Sequence, residues 1–415
     1  MKVCVIGLGY VGLPLATLIA EKHETFGYDI DREVVVKVNK GISPINDKDL
    51  AKKMKKLKGR IKATIDPRIL SKVDVIIICV PTPVDDNNNP DLKLLISASE
   101  DVSKNLQKGQ LIIIESTIYP GVSEEVVLPI LERSGLKGGK DFYLVHCPER
   151  VDIGNKDWPL EKVPRVIGGL SDEGVKKATA FYKTFLKADV MPLSSIKSAE
   201  ATKIVENSFR DVNIAFVNEL AKSFDTLGID LIEVLKAASS KPYGFLPHYP
   251  GAGVGGHCIP VDPYYLIRRA AKSGFKHEFL RLAREINESM PEYTVKRLEE
   301  GLNELGKPVK GTKIGILGLA YKGGVDDTRN SPAFRIIEIL KRKGGKVVAY
   351  DPYVNEGSLD DVLKSDAVIL VTSHPEFRKI DFSRSNVKLV VDGRNFLEKE
   401  RIRKMGIRYK GIGSG

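Results

Sequence analysis

The sequence has few cysteines and lacks any long apolar run, and both absences limit what the protein can be. Its four cysteines, Cys4, Cys79, Cys147 and Cys258, show no CxxC spacing. The first two lie within apolar segments, where a reduced cysteine acts as a small hydrophobic residue. No apolar run approaches the length of a membrane span, and no basic leader with a cleavage site precedes the first strand-like segment. We therefore expect a cytoplasmic protein without disulfides and without a membrane anchor.

The chain also lacks a basic helix with interleaved aromatic residues, the pattern expected of a nucleic-acid-binding protein, although its formal net charge is +11. Lysine and arginine are spread along the sequence, and the densest run, at 52–62, carries Leu50, Met54, Leu57 and Ile61 at helical spacing. We interpret that run as the solvated face of a helix and expect no nucleic-acid partner. A positive net charge suits a protein that binds a pyrophosphate cofactor or an anionic substrate.

With 415 residues, of which 42% are hydrophobic, the chain exceeds what one hydrophobic core usually serves. Its N-terminal part alternates apolar strands with amphipathic helices, which predicts a doubly wound α/β domain. The segments that we interpret as buried strands of a parallel sheet are KVCVIGLG, ETFGYDID, VDVIIICVPTP, QLIIIESTI, FYLVHCPER and PRVIGG. Ligands bind such sheets beyond the carboxyl ends of the strands, where Thr82, Pro83, Thr117 and Glu149 are expected.

A long helical segment at 198–228 follows, with apolar residues on more than one face, so we expect a spine helix that also offers a dimer contact. After a linker at 306–312, a second set of strands is predicted at KIGILGLAY, KVVAYDP, DAVILVTS and KLVVDGRN. The first of these resembles KVCVIGLGYV and AYDP resembles GYDID, which is consistent with an internal duplication. We therefore expect two Rossmann-like doubly wound domains, at 1–197 and 306–415, joined by a central helical domain at 198–305.

A dinucleotide-binding fingerprint lies at Gly7, Gly9 and Gly12, directly after the first strand and at the start of a helix. In that setting the glycines let the backbone approach a pyrophosphate at the helix N-terminus. Asp29 follows about 20 residues later, where its carboxylate accepts hydrogen bonds from ribose hydroxyls and repels a 2′-phosphate. The pattern predicts NAD in preference to NADP. Arg32 is expected near the cofactor, either accepting a phosphate or stacking on adenine.

A second chemical signal is Cys258 in the glycine-rich segment GAGVGGHC, which is too polar for a core strand. Gly255 and Gly256 precede it and Asp262 follows it, so backbone amides can stabilise a thiolate or an oxyanion there. A thiolate beside a nicotinamide site can add to an aldehyde, and the adduct can lose a second hydride to give a thioester. A zinc site at His257 and Cys258 is disfavoured, because adjacent residues rarely share a metal and no second ligand pair follows.

Two further groups of polar residues stand at positions suited to ligand binding. Lys203 and Asn207 are four residues apart in the long helix, so both project from one face and can polarise a hydroxyl or bind a water. In the last domain, Lys322 and Arg329 flank a turn and Arg394 follows a strand. Three cations at strand ends of a nucleotide-type fold favour diphosphate binding over simple solvation.

Together these segments resemble the UDP-sugar 6-dehydrogenases of the UDP-glucose/GDP-mannose dehydrogenase superfamily, which oxidise the primary alcohol of a nucleotide sugar twice to give a uronic acid. The resemblance spans nearly the whole chain and is carried by GLGYVGLPLA, VPTPVD, ESTIYPG, CPERVDIGN, EATKIVENSFRDVNIAFVNE, GAGVGGHCIPVDP and GLAYKGGVDDTRNSP. UDP-glucose enzymes typically have serine and lysine where this chain has His257 and Val261. The chain instead resembles the branch that oxidises UDP-N-acetylglucosamine or UDP-N-acetylmannosamine.

The resemblance implies a role for each of these positions. The implied catalytic residues are Cys258, Lys203, Asn207, Asp262, Thr117 and Glu149. Of these, Cys258 is the nucleophile, Lys203 assists the oxyanion, and the others order the water used in proton transfer and thioester hydrolysis. The residues implied to meet NAD are Gly7, Gly9, Gly12, Asp29, Arg32, Thr82, Thr117 and Arg329. Those implied on the UDP-sugar side are Lys203, Asn207, Gly255, Lys322 and Arg394. The central helix pairs subunits in this family, so a homodimer is expected.

The resemblance therefore implies an NAD-dependent oxidation of a UDP-N-acetylhexosamine at C6, through a thiohemiacetal and a thioester on Cys258, in support of polysaccharide assembly. Two alternatives remain open. A single-step dehydrogenase of the hydroxyisobutyrate or 6-phosphogluconate type shares the first domain, the long helices and the lysine and asparagine pair but needs no cysteine. A sensing or scaffold protein would keep the folds without turnover, which the intact reactive side chains disfavour.

Overall fold

A computed structural model describes residues 1–85, 87–151, 155 and 157–414. Asp152, Ile153 and Gly154, which belong to the CPERVDIGN motif, lie outside the described residues. The chain divides into two compact units. The first comprises Met1–Glu206 and Tyr264–Gly274, and the second comprises Asn207–Pro263 and Phe275–Gly415.

The first unit is an α/β domain built on one large sheet. Its strands are β1 (Lys2–Ile6), β2 (Glu24–Tyr28), β3 (Ile61–Thr64), β4 (Val75–Ile78), β5 (Leu111–Ile114), β6 (Tyr143–His146), β7 (Arg165–Gly169) and β8 (Val190–Pro192). The α-helices between them are α1 (Gly12–Ile19), α2 (Arg32–Asn39), α3 (Lys48–Lys56), α4 (Lys93–Asn105), α5 (Leu128–Glu132) and α6 (Asp172–Tyr182). The strand order is β3-β2-β1-β4-β5-β6-β7-β8, which confirms the predicted doubly wound arrangement.

Alternate residues of the strands supply two separate cores, one on each face of this sheet. In β1, Val3 and Val5 belong to one hydrophobic cluster, whereas Cys4 and Ile6 belong to the other. Strands covered by helices on both faces need no polar side, and every residue of β4 and β5 is accordingly buried.

Two details of the prediction for this unit are wrong. The sheet is not wholly parallel, because β7 pairs antiparallel with β6. The described residues between these strands form no α-helix, and a parallel return normally requires such a crossover. The basic run at 52–62 is not one helix either. Helix α3 ends at Lys56, the chain turns at Gly59 with φ of +81°, and Ile61 begins β3.

The helices that follow are α7 (Ile196–Leu227), α8 (Leu231–Ala238) and α9 (Asp262–Lys272). Helix α7 has 32 residues and confirms the predicted spine helix, and both α7 and α9 contain residues of each unit. Within α7, Ile204 and Val217 are buried, whereas Phe209 and Phe216 are exposed. Neither α7 nor any other helix in the described part of the chain reaches the length and hydropathy of a membrane span.

The second unit contains a smaller α/β sheet. Its remaining helices are α10 (Glu278–Glu288), α11 (Met290–Asn303), α12 (Pro332–Arg342), α13 (Leu359–Leu363) and α14 (Lys399–Lys404). Its strands are β9 (Lys313–Leu317), β10 (Lys346–Asp351), β11 (Glu356–Gly357), β12 (Ala367–Leu370), β13 (Leu389–Asp392) and β14 (Arg408–Gly411), in the order β11-β10-β9-β12-β13-β14. All pairs are parallel except the short edge pair of β10 and β11.

The two sheets begin with the same local geometry, as the sequence repeat predicts. The amide of Gly7 donates to the carbonyl oxygen of Tyr28, and the amide of Gly318 donates to that of Tyr350, both at 2.9 Å. Each glycine follows the strand that comes first in the chain in its sheet, and each has a positive φ. The second sheet is therefore the structural counterpart of the first.

Candidate active site

The glycine fingerprint forms an open cradle at the N-terminus of α1. A Cβ atom on Gly12 would lie 1.9 Å from the carbonyl oxygen of Gly7, so only glycine allows this close packing of strand and helix. Gly7 itself has φ of +87°. Among the residues that the structure describes, no atom beyond Gly9 and its two chain neighbours lies within 4 Å of the Gly9 Cβ position, which leaves space for a ligand against the backbone. The residues present therefore fit a pyrophosphate at a helix N-terminus.

Asp29 lies directly after β2, at the carboxyl edge of the sheet. Its carboxylate accepts hydrogen bonds from the backbone amides of Leu8 at 2.7 Å and Asp31 at 2.9 Å. The side chain is only half-buried, so it can still accept from a ribose. Arg32 is exposed at the first position of α2.

The ends of β4 and β5 bring two of the predicted cofactor residues together. The hydroxyl of Thr82 donates to the carbonyl oxygen of Thr117 at 2.6 Å. The hydroxyl of Tyr265, from the part of α9 that belongs to the same unit, donates to the carbonyl oxygen of Thr82. Tyr265 was missed by the sequence analysis, because nothing in its local pattern separates it from a packing tyrosine.

Lys203 and Glu149 form an ion pair in the first unit. The Lys203 Nζ and Glu149 Oε2 atoms are 3.6 Å apart, and the two side chains are only 8% and 13% exposed. The Glu149 carboxylate also accepts from the amide of Val151. Two residues predicted from segments far apart in the sequence are therefore in contact, and the low exposure strengthens their attraction.

A second carboxylate on α7 holds the loop that follows Thr117. Glu200 is fully buried and accepts hydrogen bonds from the amides of Gly121 at 2.6 Å and Ser123 at 2.8 Å. Burial raises the pKa of Glu200, and the hydrogen bond from Gly121 partly offsets that rise. No pattern in the sequence indicates this role, which depends on a long-range contact.

Beneath the carboxyl edge of the sheet lies a buried charged cluster. Arg165 and Glu115 are both fully buried and 3.4 Å apart, and the hydroxyl of Tyr182 donates to Glu115. The Arg165 guanidinium also donates to the carbonyl oxygen of Pro148, the residue before Glu149, at 3.4 Å. The cluster thus supports the segment that carries Glu149.

In the second unit, Cys258 is exposed at the N-terminal end of α9, whereas Cys4, Cys79 and Cys147 are buried. The carbonyl oxygen of Cys258 accepts from the amides of Val261 at 3.1 Å and Asp262 at 2.9 Å. Burial raises the pKa of Cys4 and of Cys147 to about 12 and that of Cys79 well above its ordinary value. Cys258 is therefore the cysteine placed for nucleophilic chemistry.

Asp262, four residues after this cysteine, forms a buried pair with Asn207 of α7. The Asn207 side-chain amide donates to the Asp262 carboxylate at 2.6 Å, and both side chains are at most 5% exposed. Lys203 precedes Asn207 by one turn of α7. An amide and a carboxylate in this arrangement can hold a water and accept its proton.

Hydrogen bonds hold the start of the glycine-rich segment that precedes Cys258. The amide of Gly251 donates to the side-chain oxygen of Asn218 at 2.9 Å, and the amide of Ala252 donates to the carbonyl oxygen of Gly393 at 2.8 Å. Asn218 in turn donates to Asn287 of α10 at 2.8 Å. Asn218 is a further positioning residue that the sequence analysis did not identify.

Arg394 lies beside the start of that segment. Its Nε donates to the carbonyl oxygen of Val371 at 2.8 Å, and a Cβ atom on Gly251 would lie 2.6 Å from its Nη1. Burial lowers the pKa of Arg394 to about 10. An arginine that is poorly hydrated in this way is suited to bind an anion.

The loop between β9 and α12 carries Lys322, which is half-buried, and Arg329. The Arg329 guanidinium binds the carboxylate of Asp327 through two nitrogens, at 3.0 and 2.6 Å, and this hydrogen bonding raises its pKa. Burial lowers the pKa of His257, and the nearby Arg329 charge adds to that effect. His257 is therefore neutral beside Cys258 at pH 7.

The glycine cradle and Asp29 define a dinucleotide-binding protein, and three family models show that it is an oxidoreductase. The NAD binding domain of the UDP-glucose/GDP-mannose dehydrogenase family matches residues 1–186, its central domain matches 197–289 and its UDP binding domain matches 315–399. The chain belongs to this family, and its cofactor is NAD.

Individual relatives resemble the chain over all or most of its length. The UDP-N-acetyl-D-mannosamine dehydrogenase of Pyrococcus horikoshii is 39% identical over 427 residues, covering 100% of both chains. The UDP-N-acetyl-D-glucosamine 6-dehydrogenase of Pseudomonas aeruginosa is 37% identical, covering 92% of each. A solved structure of a UDP-D-ManNAc dehydrogenase from Pyrococcus horikoshii has a TM-score of 0.94 at 38% identity, covering 100% of this chain and 99% of that one.

Proposed function

We propose that the protein oxidises a UDP-N-acetylhexosamine, either UDP-N-acetylmannosamine or UDP-N-acetylglucosamine, at C6 to the uronic acid in two steps. The observation that carries this proposal is Cys258, which is exposed at the N-terminal end of α9, four residues before Asp262, whose buried carboxylate is paired with Asn207. A dehydrogenase that stops after one hydride does not need such a thiol. The relatives named for these two sugars support the choice of substrate class.

The proposed reaction uses Cys258 to keep the intermediate aldehyde bound. Oxidation of the C6 alcohol gives an aldehyde, to which the thiolate adds to form a thiohemiacetal. Oxidation of that adduct gives a thioester, which water hydrolyses to the acid and the free thiol. NAD, when bound, supplies the hydride acceptor for each oxidation.

The other predicted catalytic residues handle protons and charge in this scheme. Lys203 stabilises the oxyanion, and its ion pair with Glu149 keeps the ammonium group fixed. Asn207 and Asp262 hold the water and accept its proton, and Thr117 and Glu149 belong to the same network.

The binding residues divide between cofactor and substrate. Gly7, Gly9 and Gly12 hold the pyrophosphate and Asp29 holds the ribose, with Arg32, Thr82, Thr117 and Arg329 as further cofactor contacts. The UDP-sugar is bound by Lys203, Asn207, Gly255, Lys322 and Arg394. The side chains of Lys322 and Arg394 neutralise the diphosphate, and that of Lys203 neutralises the oxyanion.

The stoichiometry of NADH formation tests the two-step reaction. Purified protein is incubated with NAD and each UDP-sugar, and NADH absorbance is compared with the uronic acid formed. We expect two NADH per acid. One NADH per substrate, with a carbonyl product, would instead support the single-step alternative, and no NADH with any UDP-sugar would support a sensing or scaffold protein.

Replacement of the thiol tests its role. Cys258→Ala should abolish acid formation, while Cys4→Ala, which removes a buried thiol elsewhere, should retain most activity. Full acid formation by Cys258→Ala would refute the covalent route. A panel of UDP-N-acetylmannosamine, UDP-N-acetylglucosamine and UDP-glucose under the same conditions then identifies the preferred sugar.

We also propose that the protein forms a homodimer through α7. Phe209 and Phe216 on this helix are 50% and 53% exposed, and Val205 is 57% exposed, which is unusual for apolar side chains on a lone surface helix. Sedimentation of Phe209→Ser/Phe216→Ser should give the monomer mass. The control Leu246→Ser removes an equally exposed apolar residue outside α7 and should leave the dimer intact. A monomeric wild-type protein would refute this proposal.

A further inference from the structure

Asp351, at the end of β10, is the structural counterpart of Asp29 at the end of β2. Each carboxylate accepts at 2.7 Å from the amide of the residue after the positive-φ glycine, Leu319 in one case and Leu8 in the other. The surroundings differ, because Asp29 is half-buried whereas Asp351 is fully buried. The second copy therefore keeps the carboxylate in a place where no ribose can reach it.

The group that covers Asp351 is His374. Its Nε2 lies 3.0 Å from the Asp351 Oδ2 atom, and the amide of Gly324 donates to its Nδ1 at 3.0 Å. Because Nδ1 accepts a hydrogen bond, Nε2 carries a ring hydrogen and donates it to Asp351. The ring of Tyr353 stacks on it at 4.6 Å between centroids. Burial raises the pKa of Asp351, but the hydrogen bonds from His374 and from backbone amides outweigh burial and hold that pKa well below its ordinary value.

This clamp, defined as Asp351 with His374, fixes the segment that carries Lys322. On one side of Lys322, the amide of Ala320 donates to Asp351 at 2.9 Å. On the other side, Gly324 is held by His374, and a Cβ atom on Gly323 would lie 2.3 Å from the carbonyl oxygen of Ser373. The backbone before Lys322 is thus held by Asp351. The backbone after Lys322 is held by His374 and packs closely against Ser373.

The same segment supports the glycine-rich loop before Cys258. The amide of Gly256 donates to the carbonyl oxygen of Arg329 at 2.9 Å, and the side-chain amide of Asn330 donates to the carbonyl oxygen of Gly256 at 3.0 Å. A Cβ atom on Gly255 would lie 2.7 Å from the Cβ atom of Tyr321. The peptide two residues before Cys258 is therefore held at both its amide and its carbonyl.

We infer that His374 is a positioning residue of the active site, which acts chiefly through its contact with Gly324 to hold the 319–331 segment, and with it both Lys322 and the loop of Cys258. This inference rests on the proposed function, because it assigns Lys322 to the UDP side of the substrate. It predicts that one buried histidine, which touches no substrate, determines both the affinity for UDP and the reactivity of the thiol.

Two amide substitutions at His374 distinguish its contact with Gly324 from its contact with Asp351. The side-chain oxygen of His374→Asn can take the place of Nδ1 and accept from Gly324, whereas the side-chain nitrogen of His374→Gln can take the place of Nε2 and donate to Asp351. The Gln variant loses the bond to Gly324, two residues after Lys322. The two variants are matched in polarity, so a difference between them reports the specific contact.

The test is made with the full chain, and UDP itself is the probe. We expect His374→Gln to weaken UDP binding in calorimetry by roughly tenfold, the equivalent of one lost hydrogen bond, with His374→Asn within about threefold of wild type. The rate at which iodoacetamide alkylates Cys258 in the ligand-free protein should likewise change in the Gln variant and be restored in the Asn variant. Phe382→Leu, a cavity-forming change in the core of the same sheet, should lower thermal stability without altering either quantity.

Each outcome decides the inference. Equal UDP affinity and equal alkylation rates for the Gln variant and wild type would overturn it, and so would equal losses in His374→Gln, His374→Asn and Phe382→Leu. The UDP and alkylation measurements need no turnover. A wild-type protein that forms no NADH would therefore refute the proposed function while the clamp is still tested.

Discussion

Asn207 donates its side-chain amide hydrogen to the carboxylate of Asp262 at 2.6 Å, and this contact joins α7 to the first residue of α9. The pair is buried, so little bulk water competes for it. The hydrogen bond from Asn207 therefore fixes the orientation of the Asp262 carboxylate. The contact connects the long helix directly to the start of the helix that follows Cys258.

Loss of the Asp262 charge should slow the chemical step. Asp262→Asn keeps the shape but cannot accept a proton, so we expect kcat to fall by about 10²–10⁴ with little change in KM for the UDP-sugar. Initial rates of NADH formation measure both. The control Asn213→Ala, on the same helix, should behave as wild type. An unchanged kcat in Asp262→Asn would remove this residue from the mechanism.

Asp29 should determine the choice of cofactor. Asp29→Asn removes the charge that repels a 2′-phosphate and weakens the contact with ribose, so we expect KM for NAD to rise about tenfold and the preference for NAD over NADP to narrow. Asp31→Asn, which changes the neighbouring N-cap of α2, is the matched control. If both variants changed the cofactor preference equally, the effect would belong to the helix terminus and not to the ribose contact.

His146 in β6 should make the protein less stable in mild acid. Burial lowers the pKa of His146 from 6.5 to about 3, so between these values the unfolded chain binds a proton that the folded chain excludes. The free energy of unfolding therefore falls as pH decreases through 6.5. His146→Leu should remove about 2 kcal/mol of the stability difference between pH 7 and pH 5, measured by urea unfolding. An unchanged pH dependence would show that the folded state accommodates the charged ring.

Removing one partner of the buried pair Glu115 and Arg165 should lower the free energy of unfolding more than replacing both partners with apolar residues. Glu115→Gln leaves the Arg165 charge uncompensated in a fully buried site, so we expect a loss of about 3–5 kcal/mol of unfolding free energy. The double variant Glu115→Leu/Arg165→Met should recover much of that loss, because no charge is then buried. Urea unfolding of the three proteins provides the comparison. A double variant less stable than Glu115→Gln would contradict this account.

Much of the fold could be predicted because its signals are local. The glycines at 7, 9 and 12, the helix that begins at Gly12 and Asp29 at the end of β2 all follow from spacing within one strand and one helix. The length of α7 followed from its continuous helical pattern. By contrast, Ile61 matched a helical spacing by coincidence, and only the turn at Gly59 places it in β3.

The candidate site was predictable only in part, because its geometry depends on distant segments. The ion pair of Lys203 and Glu149 joins residues 54 positions apart, and family resemblance alone put them in one network. Tyr265, Glu200 and His374 act through hydrogen bonds to backbone atoms of remote loops. Such partners leave no periodic pattern in the sequence, so their roles appear only in three dimensions.

The burial of three of the four cysteines has a practical consequence. With Cys4, Cys79 and Cys147 inaccessible and kept as neutral thiols, a maleimide dye or a nitroxide should couple to each native chain at a single sulfur atom, that of Cys258. Spectroscopy of the resting protein would then need no engineered attachment point. Because a native chain should take up one dye molecule, the ratio of dye to chain would also show how much of a preparation is correctly folded.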